Sequence, residues 1–136
     1  MSPERARARF AAARVARLAT ADADGRPHVV PIAFAVAGDR VYSAVDDKPK
    51  RTRELRRLAD VAANPAVSLL VDHYEEDWSA LWWVRADGRG QVLDDGAPEA
   101  GQARALLAAR YPQQHGAGTV LAVTVEWWHG WEASAS

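Results

Sequence analysis

Alternation of apolar and polar positions carries most of the structural information in this 136-residue chain. Ser2-Pro3 fits a helix N-cap followed by proline at the first helical position, and predicts a short helix to about Ala13. In VARLATA, Val15, Arg17, Ala19 and Ala21 alternate with Ala16, Leu18 and Thr20, the two-residue period of a strand. Asp22-Ala23-Asp24-Gly25 then turns the chain into a second strand, HVVPIAFAV. Pro31 cannot donate to a ladder, so it marks an edge or a bulge there. Gly38-Asp39 leads into a third strand, RVYSAV. Three strands joined by tight turns predict an antiparallel meander.

After Asp46-Asp47 the period becomes helical. Leu55, Leu58, Ala59 and Ala62 fall on one face, Arg53, Arg56 and Arg57 fall largely elsewhere, and Asn64-Pro65 stops the helix. AVSLLVDH predicts a buried strand, DHYEED an acidic loop, and LWWVRADGRGQVL a strand or a pair of strands. Gly96 and Pro98 introduce a further helix through Tyr111, with Leu106, Leu107 and Tyr111 on a common face and Pro112 ending it. TVLAVTVEWWHGWE predicts a last strand. About six strands with two or three helices, in one domain spanning residues 1–136, point to a small α+β barrel. An open sheet covered by helices is the alternative, and the turn spacing of the first half favours the barrel.

Composition narrows the chemistry. With no cysteine there is no disulfide framework, no thiolate zinc site and no cysteine nucleophile. No apolar run approaches the roughly 20 residues that span a bilayer, and MSPERARARFAAARVARLATA lacks the apolar core of a signal peptide. A cytoplasmic protein without membrane attachment is expected. A net charge of -1 argues against bulk nucleic-acid binding. His28, His73, His115 and His129 lack metal-ligand spacing, and DHYEED lacks the alternating ligands and turn glycine of a calcium loop, so no metal site is expected. Ser43, Ser68 and Ser79 sit in no nucleophile elbow, and no glycine-rich nucleotide loop is present. Cofactor chemistry remains, in which the protein supplies binding and orientation.

Two features suit such a role. Lys48 to Arg57 carries six cations and one carboxylate on an otherwise nearly neutral chain. A basic loop entering a helix, with Lys48, Lys50, Arg51, Thr52 and Arg53, offers charged donors beside free backbone N–H groups, a cradle for a phosphate. A solvated basic helix face is the plainer reading of the same residues. The second feature is six tryptophans: Trp78, Trp82, Trp83, Trp127, Trp128 and Trp131. Adjacent strand residues point to opposite faces, so Trp82 and Trp83, like Trp127 and Trp128, cannot all enter one core. A homodimer interface or a planar ligand would cover the outer rings; core packing with one or two exposed rings is the alternative.

These segments resemble a known family, the pyridoxamine 5′-phosphate oxidase-like split β-barrels, and more closely its coenzyme F420 (deazaflavin)-dependent oxidoreductases. RVARLATADADGRPHVVPIAFAV is similar to the family's opening hairpin with its G-x-P-x-x-x-P strand. VYSAVDDKPKRTRELRRL resembles the third strand and phosphate-binding turn, although KPKRT replaces the usual single lysine followed by R-N-L. NPAVSLLVDHYEEDWSALWWVRADGRGQVL resembles the middle strands and LLAARYPQ the late helix, so nearly the whole chain is covered. The resemblance implies a homodimer with two cofactor sites at its interface. It implies that Lys48, Lys50, Arg51 and Thr52 hold the cofactor phosphate. Ser43, Ala44 and Val45 would line the ring through their backbone, with Trp82 and Trp83 near the interface and substrate opening. The implied reaction is hydride transfer between coenzyme F420 and a small conjugated or quinone-like molecule. Catalytic residues stay unassigned, with solvent, His73 or Tyr74 as proton sources. An FMN-dependent reductase or oxidase of the same fold, or a non-catalytic flavin- or deazaflavin-binding protein, is the alternative. A barrel that stacks single-stranded nucleic acid on Arg51 to Arg57 and the tryptophans is disfavoured by the net charge.

Overall fold

The computed structural model describes residues 1–45, 52–114 and 118–134. Helix α1 spans Pro3–Ala12, with the Ser2 hydroxyl accepting from the Arg5 N–H. Strands β1 (Ala16–Ala21) and β2 (Pro27–Ile32) form a hairpin. Its turn is built by Asp22, whose carboxylate accepts from the backbone N–H groups of Asp24 and Arg26, and by Gly25 at φ 82°. Strands β3 (Ala35–Ala37) and β4 (Arg40–Val45) form a second hairpin. Then follow α2 (Thr52–Ala63), β5 (Ala66–His73), β6 (Trp82–Val92), α3 (Pro98–Arg110) and β7 (Thr119–Glu132).

All strands join one antiparallel sheet in the order β2-β1-β5-β6-β7-β4-β3. The two end strands, β2 and β3, are consecutive in the chain with only Ala33 and Phe34 between them. A flat sheet would hold its ends six strand spacings of about 4.8 Å apart, farther than two residues reach, so the sheet curls into a split barrel. The α+β barrel is therefore the fold. The meander is not: the expected second strand breaks at Ala33-Phe34, and the third pairs with β7 at the far end of the sheet. Pro31 does lie on an edge strand.

Inside the curl, Phe10 of α1 and Val61 of α2 pack against Leu18, Val41, Leu69, Val84 and Leu121 of the strands. A second cluster forms where α3 covers β3, β4 and β7 through Ala100, Ala103 and Leu107. The face of α2 is rotated from the expected one. Ala59 and Ala62 are exposed, while Leu58, Asp60 and Val61 turn toward the sheet. Glycine decides how closely α2 seats, because a Cβ at Gly90 would come 2.8 Å from a Val61 methyl. Strand β5 is half-buried rather than fully buried, with Val67, Leu69 and Val71 inward and Leu70 exposed.

The β6 ladder slips one residue at Asp87/Gly88, where a Cβ on Gly88 would overlap the backbone carbonyl of Thr124. Gly88→Ala is expected to destabilise the fold by about 1–3 kcal/mol. Gly101→Ala, on α3 with open space around it, is expected to stabilise by about 0.5–1 kcal/mol. Urea midpoints of the two variants measured side by side check both signs.

Candidate functional site

The β1–β2 register sets Thr20 directly opposite His28, both on the inner face. Helix α2 brings Asp60 onto this pair. Its carboxylate is 3% exposed and one oxygen, Oδ2, receives both the Thr20 hydroxyl at 2.9 Å and His28 Nδ1 at 2.7 Å. An ionised carboxylate only accepts, so Nδ1 carries the proton in that bond and Nε2 is the polar atom the ring has left. A buried charge needs such partners, since desolvation of an unpaired carboxylate costs several kcal/mol.

Two cavities meet at this cluster. The larger, about 410 Å³, lies between β2 and α2 and is lined by Pro27, Val29 and Val30 on one side and by Arg56, Arg57 and Asp60 on the other. The smaller, about 280 Å³, is lined by Asp22, Arg26, His28, Arg56 and Asp60. His28 and Arg56 border both. The backbone N–H of Arg26 holds the Asp22 carboxyl below the usual carboxylate range. An apolar wall facing cations suits a ligand with an apolar body and an anionic arm.

Of the residues expected to hold a cofactor, Lys48, Lys50 and Arg51 lie outside the described residues, and Thr52 is described only as the first residue of α2. Ser43, Ala44 and Val45 end β4. Ser43 and Val45 are buried, and Ala44 packs toward α3. Among the described residues this stretch has a strand partner on the β7 side alone, because β3 pairs only as far as Tyr42. In the sequence Asp46-Asp47 and then the basic residues follow Val45, and α2 carries the chain on to Asp60.

Trp82 and Trp83 begin β6 and diverge. Trp82 packs inward with the Arg9 guanidinium 4.8 Å above its ring. Trp83 lies on the opposite face from Ser43 and Val45, beside Leu70, Tyr74 and Arg85. Trp128 is inward as well, against Phe10 at 5.4 Å. The outer face of the sheet carries Val29, Leu70, Trp127 and Trp131, of which Trp127 is 64% exposed. Near its centre Asp87 accepts from Ser68 at 2.7 Å and Arg85 at 2.9 Å, with His129 at 3.2 Å. Burial works against ionisation of Asp87, but the Arg85 and Ser68 donors outweigh it and keep the carboxyl below the usual range.

Sequence reasoning missed Thr20, His28 and Asp60. The signal was present: a turn over Asp22–Gly25 sets Thr20 against His28, and Asp60 interrupts an otherwise apolar helix face between Leu58 and Val61. His73 bonds Glu75, not a cavity group. Among the described residues no group of three or more His, Asp or Glu is placed to hold a metal ion, and no helix is long and apolar enough to cross a membrane.

The sequence profile described as pyridoxamine 5′-phosphate oxidase matches residues 2–132, and the chain belongs to that family. Among solved structures it is similar to a FAD-binding protein from Mesorhizobium loti, with 26% identity, a TM-score of 0.76, and coverage of 99% of this chain and 96% of the other. It is also similar in fold to the heme storage protein HutZ from Vibrio cholerae (19% identity, TM-score 0.74, 97% and 95% covered). A FAD-binding protein from Mycobacterium smegmatis matches at 19% identity and a TM-score of 0.65, with 97% of each chain covered. No curated protein matches the sequence.

Replacing Asp60 with alanine would leave the buried Thr20 hydroxyl and the His28 Nδ1–H without their acceptor. Asp60→Ala is expected to lose about 1–3 kcal/mol of stability, and Asp60→Asn, which keeps an acceptor oxygen, to lose less. Urea unfolding of the two variants decides the order.

Proposed function

We propose that this chain is an oxidoreductase that holds a phosphate-bearing flavin-type cofactor, coenzyme F420 in the first instance, and serves hydride transfer to a small conjugated or quinone-like molecule. The observation that carries the reading is the cavity between β2 and α2, apolar on one wall and cationic on the other. Its cationic wall lies on α2, the helix that follows the basic residues Lys48, Lys50 and Arg51 in the sequence. The cofactor's ring, when bound, supplies the two-electron chemistry. The chain's own residues bind and orient: Lys48, Lys50, Arg51 and Thr52 would hold the cofactor phosphate from the start of α2, with Arg56 beside it in the cavity, and Arg57 would meet a second anionic group. The Ser43–Val45 edge would present backbone groups to the ring. Such fixing replaces a bimolecular encounter by a positioned one, worth up to about 7–11 kcal/mol of barrier in well-oriented systems.

The donor set fits this class of ligand. Coenzyme F420 is favoured by Arg57, which suits a polyanionic tail that FMN lacks. FAD is the second reading, favoured by the similarity to the Mesorhizobium loti protein. The outer face with Val29, Leu70, Trp83, Trp127 and Trp131 would be covered by a second copy, and the Trp83 groove of about 360 Å³ would then lie at the subunit boundary.

Titration of the purified protein with coenzyme F420, FMN and FAD in turn, followed by tryptophan fluorescence, should show saturable quenching, tightest with F420. Tightest binding of FAD or FMN would transfer the reading to a flavin protein, and binding of none would end it. For the dimer, light scattering should give twice the chain mass, and Leu70→Arg with Trp131→Arg should give a folded monomer; a monomeric wild type would rule the dimer out.

A further inference from the structure

The pairing of His28 with a buried carboxylate has a purpose that neither a basic turn nor a tryptophan wall supplies. Around His28 stand Asp60, Arg56 and Arg57 from α2, Asp22 and Arg26 from the hairpin turn, and Thr20 from β1. Asp22 is engaged by the turn's own N–H groups, and Asp60 by Thr20 and the ring itself. Among the described residues the remaining charged groups on the cavities are arginines. A neutral His28 would present a bare Nε2 lone pair to an anion; a protonated one would present an N–H donor and a positive charge. The Asp60 carboxylate stands 2.7 Å from Nδ1, so the ring is held by that nitrogen and Nε2 is left for a ligand. Imidazoles as a class change charge between about pH 5 and 8, where such a device works.

We propose that His28 and Arg56 form a proton-coupled anion subsite for a phosphate group in the cavity between β2 and α2, in which His28 takes up one proton as the anion binds and Asp60 positions the ring. The ligand class is a phosphate ester or an equivalent tetrahedral oxyanion. The inference deepens the cofactor reading and rests on it only for the source of the phosphate. Its balance is simple: one proton passes from solvent to Nε2, no covalent bond is made or broken, and no redox change occurs at this subsite.

The probe is inorganic sulfate, which stays dianionic across pH 5 to 8, with the His28 imidazole followed by NMR at constant ionic strength. Sulfate should shift the His28 resonances and raise the pH at which the ring titrates. Its affinity should rise as pH falls, approaching about tenfold per pH unit where the free ring is neutral. His28→Gln should keep weak sulfate binding through Arg56 but lose the pH dependence. Asp60→Asn should keep the fold and bind sulfate more weakly near pH 7, since no carboxylate then supports the imidazolium. Unmoved His28 resonances, or an unchanged slope in His28→Gln, would overturn the proposal. Comparing FMN with riboflavin between pH 7 and 8, where the ester is mostly dianionic, identifies the source. A pH-dependent FMN affinity absent from riboflavin assigns the phosphate to a cofactor. Proton-coupled sulfate binding with no flavin or deazaflavin bound keeps the subsite and removes the cofactor reading. Flavin binding with no proton uptake does the reverse.

Discussion

Two residues hold this fold in its shape. Ala33 and Phe34 join the first and last strands of a seven-stranded sheet, so the sheet can exist only curled. Phe34 is fully buried, 4.8 Å from Phe10 of α1. Its carbonyl accepts from Arg110 Nη1 at 3.0 Å and from the Tyr111 hydroxyl at 3.0 Å. Arg110 also lies over the Phe34 ring and reaches the Ala13 carbonyl. The connection that bends the sheet is thus tied to the end of α3 and to the exit of α1. These bonds satisfy backbone groups that a strand break would otherwise leave buried and unpaired.

The curl is also what creates the candidate site. It leaves one concave face, which α1 and α2 fill, and that places α2 against the β1–β2 hairpin. Seating depends on Gly90, over which Val61 lies, and on Asp60, which reaches through the apolar contact to the Thr20–His28 pair. Packing alone would prefer an aliphatic residue at position 60. A carboxylate there gives up hydration, and three groups must agree in position to repay it. Such an arrangement specifies the orientation of α2 more sharply than Val61 could, because a small rotation would break two charge-assisted bonds at once.

What the sequence disclosed follows from the range of the interaction involved. Ser2-Pro3, Asp22–Gly25 and Pro98 act on their own neighbours, and the elements they bound were read close to their observed limits. The two-residue period likewise marks β1, and apolar runs between turn residues mark β4, β5 and β7. The expected meander failed because pairing is non-local: nothing near Arg40–Val45 says that its partner is Thr119–Thr124, about eighty residues later. The buried face of α2 differs from the apolar one for a related reason. Counting apolar residues favoured Ala59 and Ala62, whereas the buried face contains an acid whose partners lie on another element. His28 lacks metal-ligand spacing, and its pairing with Thr20 gains meaning only when α2, more than thirty positions on, brings Asp60 onto both.

The outer face poses the opposite problem, with apolar groups that the single chain leaves exposed. The register lines them up across the sheet: Val29, Ala19, Ser68, Asp87 and Trp127 form one row, and Pro31, Arg17, Leu70, Arg85 and His129 the next. Burying such a face gains roughly 25 cal/mol per Å² of apolar surface, but any polar group buried with it must already be satisfied. Asp87 meets that condition within its own chain, through Ser68, Arg85 and His129. In the proposed dimer the face could therefore lose its water while the carboxylate keeps its hydrogen bonds. In that proposed dimer the exposed tryptophans would supply the apolar area, and the acid among them, bonded within its own chain, would need no partner across the interface.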